Sequence, residues 1–261
     1  GTHVADWQRG NEIKALFSKD STQTYVGNVK HMMPLIGGHS YWTNTPIDYM
    51  RECRMQVREA CKKQNIKFWQ TEICIMGNDE EIGGGGGYDF SMKTALYVAR
   101  VIHHDLCYAN AESWSWWRAA GGDYRDGLLR IYSNDGWKTG YAVDSKLLWT
   151  LGNYSRFVRP GAQRFDIRTV SEDGKEITEG FNDPKGVMCS AYRNSDGKWA
   201  IVAINYSEDV KPVCFNVEGV GAKTWRMYRT SDVSAESLAP IGTTDGTTNL
   251  APRSVTTLVE E

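Results

Sequence analysis

One carboxylate stands out by its position. The run Phe68-Trp69-Gln70-Thr71-Glu72-Ile73 is apolar and aromatic, of strand type, and carries a single acid where it runs out towards Gly77-Asn78-Asp79. Burying an unpaired charge is costly, so Glu72 needs a reason. It could pair with an arginine as a structural ion. It could also do chemistry at the C-terminal end of a parallel strand, where α/β barrels keep their active sites. The chemistry that suits such a group is nucleophilic attack at a sugar's anomeric carbon, the first step of retaining glycoside hydrolysis.

Other residues offer competing chemistry, and most have a plainer use. Asn11-Glu12 resembles an acid-bearing Asn-Glu pair but lies in the helix-like run Trp7 to Phe17, where a solvated helix residue is expected. Glu112 lies two residues before Trp114 and is a weak substitute acid. Asp123, Tyr124, Arg125 and Asp126 form a polar loop, read as ordinary surface. His103 and His104 share a helix, where packing or solvation is expected, and no cluster supplies three closely placed metal ligands. The glycine run Gly83 to Gly87 is a flexible loop and not a phosphate loop, because no Lys-Ser/Thr follows it. This reading includes no metal and no cofactor.

The elements that must position Glu72 alternate in type. Met32 to Ile36 reads as a short buried strand running into Gly37-Gly38-His39-Ser40-Tyr41-Trp42, where glycines allow a sharp turn. Thr45, with Pro46 at the first helical position, starts a helix through Ile47, Met50, Arg54, Val57 and Cys61, closed at Asn65. The strand 67–73 follows. Ser91 caps a second helix through Ala95, Leu96, Ala99, Ile102 and Leu106. Tyr108 to Trp117 reads as a third strand, and Asp144 caps a helix through Leu147, Leu148, Leu151 and Tyr154. The order β-α-β-α-β-α with helix-length crossovers predicts a parallel sheet. After Arg159-Pro160-Gly161, short alternating runs near 164–170, 186–193, 198–206, 211–218, 223–230 and 254–259 are separated by turn signals such as Asp173-Gly174 and Asp245-Gly246. They predict an antiparallel β-sandwich.

Composition sets the outer bounds. The chain has 261 residues, 41% of them hydrophobic and 24% charged, which describes a globular protein. A net charge of −2 carries no nucleic-acid or anionic-membrane footprint. No stretch approaches the roughly 18 apolar residues of a membrane span, and Gly1 to Arg9 holds no apolar core of a signal peptide. Six cysteines in a chain of this length are no disulfide framework and are expected as free thiols. Ten Trp and thirteen Tyr, several beside polar residues, suit stacking on sugar rings as well as core packing.

Taken in order, these pieces resemble the C-terminal half of a glycoside hydrolase family 30 enzyme. The matching segments are Gly38 to Trp42, Trp69 to Glu72, Ala109-Asn110-Ala111 through Ser115-Trp116-Trp117, Leu151 to Gly161, and Ser254 to Leu258. The resemblance implies α/β plus all-β architecture: about strands 6–8 of a (β/α)8 TIM barrel in residues 1–160, then a β-sandwich side domain in 161–261. It implies a retaining β-glycosidase with Glu72 as nucleophile, and an acid/base Glu on strand four that has no counterpart here. His39, Tyr41, Trp42, Trp114 and Trp116 become the expected substrate contacts, with Trp116 facing the sugar; core roles for His39 and the tryptophans compete. The implied partner is a β-linked oligo- or polysaccharide, in a secreted or periplasmic setting, with self-association through the open barrel edge. As an incomplete chain it is expected to be inactive on natural glycans. The competing reading is a non-catalytic carbohydrate-binding protein. Xylan, β-1,6-linked glucan or galactan, and β-glucosides all stay open as the glycan.

Overall fold

The computed structural model describes residues 11–261 apart from 22–23, 77–78, 122–124, 126, 172, 178–179, 220 and 222. The expectations for Trp7 to Gly10, and for Asp123, Tyr124 and Asp126, lie outside the described residues. The architecture is α/β followed by a β-rich part, and the chain divides into two compact units, residues 1–88 with 101–127 and residues 89–100 with 128–261.

In the first unit a short helix, Glu12–Phe17 (α1), is capped by Asn11, whose side chain accepts from the Lys14 amide at 3.2 Å. Asn11-Glu12 is therefore a helix start, which is how Asn and Asp side chains satisfy orphan backbone donors. Strand Leu35–His39 (β1) leads to helix Ile47–Gln64 (α2) and strand Lys67–Glu72 (β2). Helix Met92–Cys107 (α3), of which only the part from Val101 belongs to this unit, then leads to the two-residue strand Ser113–Trp114 (β3). β1–β2 and β2–β3 are both parallel, in the order β1-β2-β3. The expected βαβαβ run is thus observed. Met50, Cys53, Arg54, Val57 and Cys61 recur at helical spacing and form the buried stripe of α2. Val57 and Cys61 meet Ile13, Ile36, Phe68, Ala109 and Ala111 in one core.

Some local expectations change. α2 begins at Ile47 with Pro46 in the cap position and no side-chain cap bond, so Thr45 does not cap it. Asn65 closes α2 in a left-handed conformation, as expected. The third strand does not run from Tyr108 to Trp117, because Tyr108 still bonds back to the helix through the His104 carbonyl at 2.9 Å. Only Ser113–Trp114 pair as strand, although Ser115 and Trp117 continue alongside β2 through bonds to the Gln70 and Ile73 carbonyls. His103 and His104 are fully buried, which leaves packing and removes solvation.

A two-residue strand, Ala120–Gly121 (β4), is the last strand of the first unit among the described residues. In the second, strands Leu129–Tyr132 (β5) and Tyr141–Asp144 (β6) form an antiparallel hairpin. Helix Lys146–Ser155 (α4) is capped by Ser145, which accepts from Leu148 N at 3.3 Å; Asp144 is instead the last residue of β6. Eight strands follow: Gln163–Phe165 (β7), Val187–Arg193 (β8), Trp199–Asn205 (β9), Lys211–Cys214 (β10), Trp225–Ser231 (β11), Ala239–Thr244 (β12), Thr247–Leu250 (β13) and Ser254–Glu260 (β14). Six of them form an antiparallel sheet ordered β12-β11-β14-β9-β8-β7, and β10 pairs with β13. Side chains of both sheets, among them Ile201, Val213, Trp225, Leu250 and Leu258, share one core. α4 packs through Asn153, which donates to Thr257 Oγ1 at 3.0 Å and accepts from Thr230 Oγ1 at 2.7 Å.

Candidate active site

Strict strand alternation would put Glu72 on the face of Phe68 and Gln70, both buried. A register shift changes this. Gly38 pairs with Gln70 but His39 pairs with Glu72, so Thr71 is an extra residue with no partner across the strands. Bulges of this kind re-aim side chains. The Thr71 hydroxyl donates to the Gly38 carbonyl at 3.3 Å, and its methyl group lies 3.0 Å from where a Cβ on Gly37 would stand. Gly37 is therefore the residue that lets Thr71 lie across β1.

The shift brings Glu72 level with His39 at the C-terminal end of the parallel sheet. His39 Nδ1 is 3.7 Å from Glu72 Oε1, and the Tyr41 hydroxyl donates to the same oxygen at 2.5 Å. Both His39 and Glu72 keep more than a third of their side-chain surface exposed. Burial, together with the bond to Glu72, pushes the Tyr41 phenol well above its ordinary range, so Tyr41 remains a donor. The rings of His39 and Tyr41 meet edge to face at 5.3 Å. Trp42 is 67% exposed with a left-handed backbone (φ 56°), its ring 5.8 Å from Tyr41.

On the other flank Trp114 and Trp116 stack at 5.9 Å with planes 10° apart. Trp114 also donates its indole N–H to Asp105 Oδ2 at 2.9 Å. The expected site residues thus fall into two groups, Glu72 with His39, Tyr41 and Trp42, and the stacked Trp114–Trp116 pair. Glu112 belongs to neither. It pairs with Lys67 at 2.8 Å and its amide bonds the Phe68 carbonyl, which places it at the start of β2, the opposite end from Glu72. A cavity of about 460 Å³ lined by Phe17, Lys19, Tyr25, Met32 and Ile66 also lies at that far end.

Sequence reasoning missed the buried polar cluster behind the site. Asp105 and Arg54, 1% and 3% exposed, pair at 2.8 Å. Arg54 stood out only as part of an apolar helical stripe; a charge in such a stripe was the available signal.

Residues 3–130 match the model of O-glycosyl hydrolase family 30. The chain resembles the C-terminal half of a family 30 enzyme. Glucuronoxylanase XynC of Bacillus subtilis is 26% identical over 236 residues, 87% of this chain and 46% of XynC. A conserved exported protein from Bacteroides fragilis superposes with a TM-score of 0.81 at 30% identity, over 95% of this chain and 50% of that one. A family 30 endoxylanase from Clostridium papyrosolvens shares the fold, with a TM-score of 0.60 at 22% identity, 94% of this chain and 54% of that one. The chain spans about half the length of these relatives.

Proposed function

We propose that Glu72 is the nucleophile of a retaining β-glycosidase. In this reading residues 1–160 are the C-terminal part of a (β/α)8 barrel, about its strands 6–8, and residues 161–261 are its β-sandwich side domain. The observation that carries it is the position of Glu72: exposed enough to meet a ligand, at the C-terminal end of a parallel strand, with Tyr41 and His39 on one oxygen. That arrangement leaves Oε2 to attack the anomeric carbon, while the phenol fixes the carboxylate by donating to it. Trp116, with Trp42 and Trp114, offers aromatic faces for the sugar rings.

Retaining hydrolysis needs a second carboxyl group about 5–5.5 Å from the first. Glu112 is at the wrong end and Asp105 is committed to Arg54, so we assign the acid/base to a part of the family barrel outside this chain. Without it, natural leaving groups depart slowly, because general acid catalysis contributes about 10²–10⁴-fold. A β-linked glycan is the substrate class, and xylan is the first polymer to try because XynC is a glucuronoxylanase. We place the protein outside the cytoplasm, in keeping with the exported Bacteroides relative.

The test is hydrolysis of 2,4-dinitrophenyl β-xyloside and β-glucoside, whose leaving group needs no proton. We expect slow release of dinitrophenol, acceleration by azide with β-glycosyl azide as product, and loss of both in Glu72→Gln. Release that persists in Glu72→Gln, or an azide product of inverted configuration, would remove Glu72 from the role. Retention of xylan on affinity gels without any dinitrophenol release would favour the non-catalytic carbohydrate-binding reading.

A further inference from the structure

The cluster behind the site joins the two groups of site residues. Asp105, near the end of α3, accepts from Arg54 Nε at 2.8 Å and from Ser40 Oγ at 3.2 Å through one oxygen. It accepts from the Trp114 indole at 2.9 Å through the other. Arg54, from α2, then donates to the Thr43 carbonyl at 2.5 Å, to Thr43 Oγ1 at 2.7 Å and to Asn44 Oδ1 at 3.0 Å. Thr43 Oγ1 in turn donates to the Ser40 carbonyl at 2.9 Å. The loop 40–44 is therefore fastened at Ser40, Thr43 and Asn44, and it carries Tyr41 and Trp42. Ser40, Thr43, Arg54 and Asp105 are all buried.

A buried ion pair is weak evidence for stability, since well-packed apolar residues often serve as well or better. What this pair has that an apolar pair lacks is directional bonds to two separate functional segments. We propose that Asp105 is a positioning residue: through Arg54 and Ser40 it sets the loop that holds Tyr41 against Glu72, and through the Trp114 indole it sets the stacked Trp114–Trp116 platform. This rests on the reading of Glu72 as nucleophile. The carboxylate touches neither sugar nor reacting atoms, and acts through the residues it holds.

The experiment is timed inactivation by 2,4-dinitrophenyl 2-deoxy-2-fluoro-β-xyloside and its β-glucoside counterpart, followed by intact mass, which separates the binding constant KI from the trapping rate ki. Near-UV circular dichroism of the indoles is recorded on the same samples. Asp105→Asn is expected to raise KI and lower ki together, for a combined loss of about 10- to 100-fold, and to change the indole spectrum while the far-UV spectrum stays. Trp114→Phe, which cuts the platform link and alters the platform itself but leaves the link to the loop, is expected to raise KI more than it lowers ki. If Asp105→Asn fails to fold, Arg54→Lys takes its place, since lysine cannot reach Asp105, Thr43 and Asn44 together; it should lower ki more than it raises KI. Constants and indole spectrum unchanged in folded Asp105→Asn or Arg54→Lys would overturn the proposal, as would a loss of trapping no larger than the loss of folded protein. Failure of the wild-type chain to be trapped at all would instead sink the glycosidase reading. The indole spectrum of the variants would then decide the positioning role by itself.

Discussion

At the scale of single residues, the account turns on which groups touch Glu72. Tyr41 donates to Glu72 at 2.5 Å, and hydrogen bonds to charged groups contribute about 1.5–3 kcal/mol. The same bond orients the carboxylate, so Tyr41→Phe should slow trapping of Glu72 by roughly 10- to 100-fold through lost positioning with little change in fold; equal rates would show that the phenol does not hold the carboxylate. Glu112 gives the contrasting case. Its exposed pair with Lys67 contributes about 0–1 kcal/mol, so Glu112→Gln should leave release of dinitrophenol unaltered and thermal unfolding nearly so. Phenyl β-xyloside, whose leaving group does need a proton, is the substrate that decides the acid: loss of its slow hydrolysis in Glu112→Gln would return Glu112 to candidacy.

At the scale of elements, the bulge at Thr71 is the device that aims Glu72. Because a Cβ on Gly37 would stand 3.0 Å from the Thr71 methyl, Gly37→Ala should cost about 1–3 kcal/mol by overpacking and also slow trapping. Thr71→Ser removes that methyl while keeping the hydroxyl, so the double variant should recover most of the stability; calorimetry of the four proteins gives the cycle. The strand itself was legible in the sequence, since Phe68 to Ile73 is apolar, bounded, and ends in one acid. The bulge was not, because a one-residue slip leaves no mark in the pattern of a single strand. The Arg54–Asp105 pair was hidden for a related reason: its members are 51 residues apart, on α2 and α3, and meet only in the folded chain. Aromatic density made Tyr108 to Trp117 look like one strand, whereas helical bonding persists to Tyr108. Strands β12 and β13 escaped notice, although the Asp245-Gly246 turn between them was read, because Ala239–Thr244 contains Pro240 and Gly242 and shows little alternation.

At the scale of the whole molecule, the parallel sheet of the first unit has three strands among the described residues, with β1 and β3 at its edges. Edges of this kind recruit other chains through their unpaired backbone groups. Its β2 also leaves Trp69 37% exposed, and Met33 just before β1 is 59% exposed. We expect the purified chain to self-associate, burying about 1,200 Å² or more in total as a stable interface requires. Sedimentation equilibrium should show dimers that grow with concentration, and Trp69→Ser should weaken them. A strict monomer at high concentration would mean that the open side is satisfied within the chain.

The central claim is that Glu72 attacks the sugar, and the most direct measurement is the site of the covalent adduct. After incubation with the dinitrophenyl 2-deoxy-2-fluoro-β-glycosides, proteolysis and tandem mass spectrometry should find a single glycosylated residue, Glu72, in the peptide that carries Trp69-Gln70-Thr71-Glu72. An adduct on any other carboxylate, or one that survives in Glu72→Gln, would contradict the account.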